Sequence, residues 1–560
     1  MQEPQQLKEK TRRNIADVSE IVAEMFKPCL GPTAMAKLVE DKDGLWFSDD
    51  PALLLKKVGL QHPVAKAMSD AAASISGSFG DGACSFLVME AELLRGAVEI
   101  ISKKTHPNII VDGWKTALSH CLDSPKLAEA DTSDRQVLER VARTVLADCS
   151  WNAQKLAPLV VDAVLTLSSL GQLDLNNFSV ERVVGGSVED SFFLRGVAMP
   201  HELADPQGPT SVRDAKIALL QGEINEKKPD SVRADTKIEI TEVGGISELR
   251  NARYRFLEGL AKNVVSTGAN VLFVEKGIDP IATEYLSKRG VLVVRRFVIE
   301  PFRRLAAATG GTLVTDIRTL SEGDLGHADL VETRNLNGNE WLFVEGCREP
   351  KAATFVVRGG DNTLLHSIAR AVQRSVKTVK ETQLSRKLVY GGGAWEMSLA
   401  TKVRSLSTRY SGRQQLAMDV FADALESIPL TLAQNAGMDG LSTMADLRAR
   451  HAAGEYSVGV DPVRRSLAEM GPLGVLDPFV VKRRVLLTAF GVGAMLTRID
   501  NMIVLEQLFG DERTLKKMEK DTEPEKIEAR RREYGGMEKL EGPRYRPRLK
   551  DIRTTHPYAR

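Results

Sequence analysis

The apolar rhythm of this 560-residue chain changes twice, and that constrains its fold more than any single motif. From about Ile15 to Val145, apolar residues recur at helical spacing, as in Ala65–Ala73 and in Phe86–Ile101, the latter stopping near His106-Pro107. Between about Lys216 and Val357, short β-branched runs alternate with helical stretches. Val271–Val274 leads to Ile281–Leu286, and Val291–Val294 leads to Phe302–Ala308. This is the rhythm of α/β units around a sheet. After Gly393 the helical spacing returns in Met397–Ser405, Leu416–Gln434, Met444–His451 and Val481–Ile499. Helical outer thirds around an α/β middle predict one helical domain built from both chain ends. A chain this long exceeds one ordinary core and should divide into two or three domains.

Two glycine turns punctuate the first helical third: Leu30-Gly31-Pro32 and, roughly fifty residues later, Gly80-Asp81-Gly82. Exposed N–H groups where helices start suit phosphate oxygens, and an Asp between two glycines suits a Mg²⁺ ion bridging them. Either turn alone reads equally as a plain glycine turn. Their companions are Ser48-Asp49-Asp50, Gly391-Gly392-Gly393 and Gly459-Val460-Asp461.

The formal charge is +1 with 27% charged residues, so no global field points to nucleic acid or membrane. The apolar runs are too short to span a bilayer. The N-terminal MQEPQQLKEKTRR has no apolar core, so no secretory signal is expected and the location expected is cytoplasmic. Cys29, Cys84, Cys121, Cys149 and Cys347 show no metal spacing and read as scattered thiols in a reducing cytoplasm. There is no nucleophile–base motif and no GxGxxG after a strand, so an independent enzyme has no support.

Ordered strings along nearly the whole chain resemble group II chaperonins, the family of the archaeal thermosome and the eukaryotic cytosolic chaperonin (TRiC). They are LGPTAMAK (30–37), SDDPALLL (48–55), HPVAK (62–66), GDGAC (80–84), KGID (276–279), RGG (358–360), YGGGA (390–394) and RIDN (498–501). The family reads close to LGPKGMDK, TNDGATIL, HPAAK, GDGTT, KGID, RGG, AGGGA and RIDD. The match fades over the first few residues and from about Leu508. SGRQQLA and STGANV look thermosome-like, whereas KPCLGP looks closer to a eukaryotic subunit type.

The resemblance implies a multidomain α and α/β fold. A helical equatorial domain comes from both chain ends (1–142 and 394–510), and a discontinuous intermediate domain from 143–212 and 362–393. An α/β apical domain is inserted at 213–361, with a lid protrusion near 240–265. It further implies ATP and Mg²⁺ as cofactors, partner subunits in an eight- or nine-membered double ring, and unfolded protein as substrate. Carried over motif by motif, Leu30, Gly31 and Pro32 approach the phosphates. Asp81 and Gly82 hold the metal and terminal phosphates, beside Ala83 and Cys84, with Asp50 nearby as metal ligand and catalytic acid. Gly392 lies against the sugar, and Asp461 accepts from ribose or base. Membrane and nucleic acid are not expected partners.

The departures matter most. Thr33, Ala34 and Ala36 replace Lys, Gly and Asp of LGPKGMDK, and Ala83 and Cys84 replace the paired Thr of GDGTT. Pro51 replaces a Gly and fixes φ. On this reading the family's water-orienting Asp lies six residues before the GGG, and counting back from Gly391 gives Ser385. A hydroxyl without a base partner cannot accept a proton as a carboxylate does. Glu381, four residues earlier on the same helix face, is a poorly aimed substitute. Two functions therefore stand: a chaperonin subunit with weak or lost hydrolysis, and a structural or regulatory ring member or scaffold without ATPase activity.

In the apical part, Leu249, Tyr254, Phe256, Leu257, Leu260 and Val264 recur at helical spacing. Most of this segment reads as an amphipathic helix on the sheet, and Val243–Ala252 as lid contact. The extension at 511–560 ends in PRYRPRLKDIRTTHPYAR and admits three readings: a docking peptide for a neighbouring subunit, a solvated tail, or a nucleic-acid contact, the last disfavoured by its acidic neighbours.

Overall fold

The computed structural model describes residues 3–41, 44–123, 126–146, 153–168, 175–225, 245–347 and 352–501. Ile238–Thr241, the start of the expected lid contact at Val243, Cys149 and the 511–560 extension lie outside the described residues.

In chain order the first part holds α1 (Glu3–Phe26), the hairpin β1 (Lys37–Asp41) and β2 (Gly44–Ser48), then α2 (Pro51–Val58), α3 (Pro63–Phe79), α4 (Ala83–Ser102) and α5 (Pro107–Asp123). There follow α6 (Arg135–Leu146), α7 (Ala153–Ser168), β3 (Phe178–Val184), β4 (Phe192–Leu194), β5 (Gly196–Pro200) and β6 (Ser211–Leu220). The middle continues with α8 (Gly245–Ser266), β7 (Val271–Val274), α9 (Pro280–Ser287), β8 (Leu292–Arg295), α10 (Ile299–Thr309), β9 (Leu313–Val314), β10 (Gly326–Leu336), β11 (Asn339–Glu345) and β12 (Ala353–Gly359). The last part is α11 (Asn362–Ser385), β13 (Leu388–Tyr390), α12 (Ala394–Ser407), α13 (Arg413–Asn435), α14 (Gly440–Ala452), β14 (Val458–Asp461), β15 (Ser466–Glu469), α15 (Met470–Leu473), β16 (Leu476–Pro478) and α16 (Phe479–Thr497).

The largest core joins both ends of the chain. Phe26, Leu54, Met68, Phe86 and Trp114 from the first part pack with Trp395, Phe421, Leu425 and Leu486 from the last. Its axis is α4, which packs against α1, α13 and α16. Apolar residues cover most of this helix (Phe86, Leu87, Val88, Met89, Leu93 and Leu94 are all buried), leaving a narrow polar stripe of Glu92, Arg95 and Glu99 toward solvent. α2 starts where sequence chemistry says it should. Asp50 caps it through the Ala52 N–H, Pro51 sits at its first turn, and Gly59 ends it in the left-handed region. Pro51 thus occupies a helix position where its missing N–H costs nothing.

The α/β middle is a seven-stranded sheet in the order β5-β11-β10-β6-β7-β8, with β9 also pairing β6. Strands β6, β7 and β8 are parallel. Successive side chains of a strand point to opposite faces, and both faces here are covered. Ile217, Leu219, Val271, Phe273, Leu292 and Val294 pack with Phe302 and Leu305 of α10. Ala218, Leu220, Leu272, Val274 and Val293 pack with Ala261 and Val264 of α8 and Leu286 of α9. On α8, Leu257 and Val264 are buried, while Tyr254 and Phe256 stay half exposed, so the apolar positions divide between two faces. A third core lies between these two, built from α6, α7, α11 and the small sheet β3-β12-β4, with Leu138, Val160, Phe355, Ile368 and Val372 at its centre. The short ladders β1–β2, β13–β16 and β14–β15 inside the helical thirds carry too few residues to register as a period of two.

Candidate functional site

One cavity of about 580 Å³ opens where the helical core meets α6 and α11. Leu30, Gly31, Pro32, Asp50, Asp81, Ala83, Cys84, Gly392 and Asp461 all line it. These residues are up to several hundred positions apart, and packing brings them to one wall. Gly82 and Ser385 are not among the lining residues.

The glycine wall follows from local backbone rules. Gly80 (φ +80°) ends α3 and Gly82 (φ +91°) begins α4, both in the left-handed region that glycine adopts without strain. A Cβ at Gly80 would lie 2.3 Å from the Arg374 carbonyl oxygen, so α11 rests directly on this loop. α4 and α12 start from Gly82 and Gly393, neither of which offers a capping side chain. Ala83, Cys84 and Ser85 of the first α4 turn line the cavity, as do Gly392 and Gly393. Two helix positive ends therefore converge on one space, which suits an anion. The Asn435 side-chain amide donates to the carbonyls of Lys27 and Leu30, 2.8 Å each, and holds the Leu30-Gly31-Pro32 turn in place.

Asp461 ends β14. Its Oδ1 accepts from the N–H groups of Val463 and Arg464 at 3.0 and 3.2 Å, which shapes the β14–β15 turn at the cavity edge. The Cys84 thiol turns back to the Phe26 carbonyl at 3.1 Å. Lys482, buried beside the cavity, meets Glu396 at 2.7 Å and Asp477 at 3.0 Å. Burial opposes its charge, but Asp477 and Glu396 outweigh that and hold the ammonium well above its usual range. Burial also raises the Asp81 carboxyl, as does Asp477, against the opposing pull of the Gly82 N–H, Arg374 and Lys482. A desolvated carboxylate beside a second acid is a place where a cation is welcome.

The elements of the opposite wall carry the other two expected residues. Asp50 lines the cavity with its carboxylate already engaged. Its side chain is 3% exposed, with Oδ2 paired to Arg370 at 2.6 Å and Oδ1 accepting from Ala52 N–H at 3.0 Å. Of the two proposed ligands only Asp81 fits Mg²⁺, which needs one or two carboxylates when phosphates supply the rest. Among the described residues no cluster of three or more His, Cys, Asp or Glu could hold a metal alone. Ser385 does not line the cavity. It is the last residue of α11, and its Oγ is buried without a hydrogen-bond partner. Glu381 does not line the cavity either. The α11 residue that does is Arg374, eleven positions earlier on nearly the same face, roughly 16 Å along the axis. Its Nη2 meets Asp49 Oδ2 at 3.1 Å.

Sequence reasoning missed Arg374, the α6 residues Arg140 and Arg143, and the Lys482 cluster. On paper each is an ordinary charged helix residue. The spacing of Arg370 and Arg374, one turn apart and facing the adjacent acids Asp49 and Asp50, is the one signal that could have pointed there.

A helical unit closed from both chain ends, an inserted α/β unit, and a cavity where the helical unit meets α6 and α11 make up the architecture of a chaperonin subunit. The chain belongs to the TCP-1/cpn60 chaperonin family, whose model matches residues 22–507, and within it is a group II chaperonin. A thermosome subunit of Methanocaldococcus jannaschii is 35% identical over 501 residues, covering 88% of this chain and 92% of that one. The thermosome subunit beta of Methanothermobacter thermautotrophicus is 34% identical over 510 residues, 90% and 94% of the two chains. A thermosome subunit of Pyrococcus horikoshii is 35% identical over 541 residues, 95% and 94%. Among the described residues no helix is long and apolar enough to cross a membrane.

Proposed function

We propose that this chain is a subunit of a cytoplasmic double-ring chaperonin, eight or nine subunits to a ring, that assists the folding of unfolded protein through ATP binding and itself hydrolyses ATP weakly or not at all. The α11 wall, where Arg374 faces the cavity and Arg370 is paired with Asp50 behind it, carries this reading. The glycine wall keeps what nucleotide binding needs: two unencumbered helix starts, the Gly31 turn and Asp81. Asp81 would hold Mg²⁺, which when bound neutralises phosphate charge. The facing wall lacks a carboxylate placed to take a proton. Asp49 and Asp50 are both arginine-bound, and α11 puts a guanidinium, which cannot act as a base, into the cavity. The inter-core position of α11 links the cavity to the third core, the route by which binding could move the α/β unit.

Single-turnover hydrolysis with and without partner subunits tests this. The expected result is measurable nucleotide binding with turnover near background; hydrolysis at the rate of an intact relative would overturn it. Assembly is tested by native mass spectrometry. A monodisperse 61.4 kDa monomer at micromolar concentration, unchanged when partners are added, would sink the ring assignment.

A further inference from the structure

We propose that Cys84 and Cys29 are a peroxide-sensitive thiol pair in the glycine wall: hydrogen peroxide oxidises Cys84, and Cys29 closes a disulfide with it. The inference goes beyond the nucleotide reading and does not depend on it.

The sequence scatters five cysteines, and the fold gathers two of them. Cys29 and Cys84 both line the cavity. Cys29 is 4% exposed in the largest core, and Cys84, partly exposed, packs against the same cluster. Each thiol turns to a backbone carbonyl, Cys84 Sγ to Phe26 O and Cys29 Sγ to Met35 O, 3.1 Å in both cases. The Phe26 carbonyl brings the pair together. A short 3₁₀ turn, Lys27–Cys29, starts from Phe26, and i→i+3 bonding points the Cys29 N–H at that same oxygen. The Cys84 sulfur therefore stands within about 6 Å of the Cys29 backbone nitrogen. A disulfide joins residues whose Cα atoms are about 4–7 Å apart, so rotation of the two side chains brings the sulfurs together. The Asn435 amide holds the carbonyls of Lys27 and Leu30, which fixes the turn in place.

The two thiols are unequal, and the difference assigns their roles. Cys84 is the second residue of α4, a helix start with no capping side chain, and the positive end of a helix favours a thiolate. It also faces the open cavity, through which a small peroxide reaches it. Cys29 is almost wholly enclosed and serves as the resolving thiol. Two other cysteines have neither advantage. Burial pushes the Cys121 thiol up to about 12 and the Cys347 thiol up to about 11, which keeps both inert.

The Cys84 thiolate attacks one peroxide oxygen, the O–O bond breaks, and the departing hydroxide takes up the proton that Cys84 gave up. Cys84 is then a sulfenic acid. The Cys29 sulfur attacks the Cys84 sulfur, the S–O bond breaks, and a second water leaves with the Cys29 proton. One peroxide becomes two waters while two thiols lose two electrons. The bond ties the turn after α1 to the first turn of α4, and so locks Leu30-Gly31-Pro32 against Gly80-Asp81-Gly82.

The experiment treats the reduced full-length chain with hydrogen peroxide, blocks the remaining thiols with N-ethylmaleimide in denaturant, and maps peptides by mass spectrometry without reduction. Two of the five thiols should be lost, in one linked peptide that joins Cys29 to Cys84, and dithiothreitol should restore both. Cys29→Ser should strand Cys84 as the sulfenic acid, with dimedone labelling raised about tenfold or more over wild type. Cys84→Ser should leave Cys29 carrying maleimide after peroxide. Wild-type Cys29 and Cys84 that both carry maleimide after peroxide overturn the proposal. So does a linked peptide that uses Cys149 in place of either residue, and so does Cys29 oxidised as fast in Cys84→Ser as in wild type. The wild-type map needs no variant, so the test stands even where a substitution prevents folding.

Discussion

The two walls of the cavity are built by different means. One is a set of glycine turns and helix starts from the chain ends: Gly31, Gly80, Gly82, Gly392 and Gly393, with Asp81 among them. Its geometry is backbone geometry, set locally by residues that tolerate positive φ. The other is a single helix face, α11, whose contribution is two arginine–aspartate pairs with the β2–α2 corner and hydrogen bonds from Lys377 and Thr378 to the end of α3. The first wall shapes an anion site. On the proposed reading the second decides what happens to the anion. A chain can keep the first and change the second, because binding depends on main-chain geometry while proton transfer depends on one aimed side chain.

The sharpest way to break this comparison is to change the second wall alone. Arg374→Asp puts a proton acceptor where α11 enters the cavity, and in Mg²⁺ single-turnover hydrolysis should rise by about tenfold or more. A full base effect is worth about 10²–10⁴-fold, reduced here by phosphates that Ala83 and Cys84 contact less well. Ser385→Asp, outside the cavity, should leave the rate unchanged. If the Ser385 variant gains activity and the Arg374 variant does not, the assignment of the walls is reversed.

Changing the first wall should act on binding instead. A Cβ at Gly392, whose φ is +60°, would lie 2.6 Å from Met470 Sδ and 2.8 Å from the Val460 carbonyl oxygen. Overpacking of that kind costs about 1–3 kcal/mol, so Gly392→Val should weaken fluorescent-nucleotide binding by about 10- to 100-fold. Unchanged affinity would show that the nucleotide does not lie against this turn.

A smaller effect tests the helix under the first wall. Glu90 of α4 is fully buried, neither carboxylate oxygen has a hydrogen-bond partner, and burial holds its pKa well above the ordinary glutamate range. The folded state therefore prefers Glu90 protonated. Its stability is fully present below the ordinary glutamate range and is lost as pH rises toward the raised folded pKa. Glu90→Gln should flatten that loss and raise stability at pH 8 by about 1–3 kcal/mol, read as thermal midpoints at pH 5 and 8. A midpoint that falls equally in both proteins would show that Glu90 is not the cause.

The smallest effect is expected at the closed pair. Arg370→Ala leaves Asp50 buried, but Arg370 is 37% exposed and Asp50 keeps the Ala52 N–H, so the loss should be about 1 kcal/mol. Limited proteolysis at the α2–α11 contact reads it directly, and no change in cleavage would mean the pair does not hold the wall.

Much of the fold was legible before any coordinates. Val271–Val274 is β7, and Leu416–Gln434 lies inside α13. The divided helical unit followed from the two changes of rhythm and appears as one core shared by both ends. Of the candidate site residues in glycine turns, all but Gly82 line the cavity, because a turn announces itself in composition. Asp50 and Ser385 show what a motif cannot say: Asp50 lines the cavity with its carboxylate engaged by Arg370, and Ser385 lies away from it. Each was placed by its distance from a motif, and distance along a chain does not say whether a side chain is already engaged or on which turn of a helix it faces inward.

What the sequence by itself determined is therefore local: where the chain can take positive φ, where helices start and stop, and which stretches keep a period of 3.6 or 2. Those properties depend on residues within one or two turns of each other. What only the tertiary structure decided is partnership. Asp49 and Arg374 are 325 positions apart, and Asn435 holds a carbonyl 405 positions away. The charged positions of α11 have the same pattern whether they face water or a phosphate site. The packing of α11 across two cores selects which of them faces the cavity, and that selection turns a surface arginine into the residue opposite Asp81.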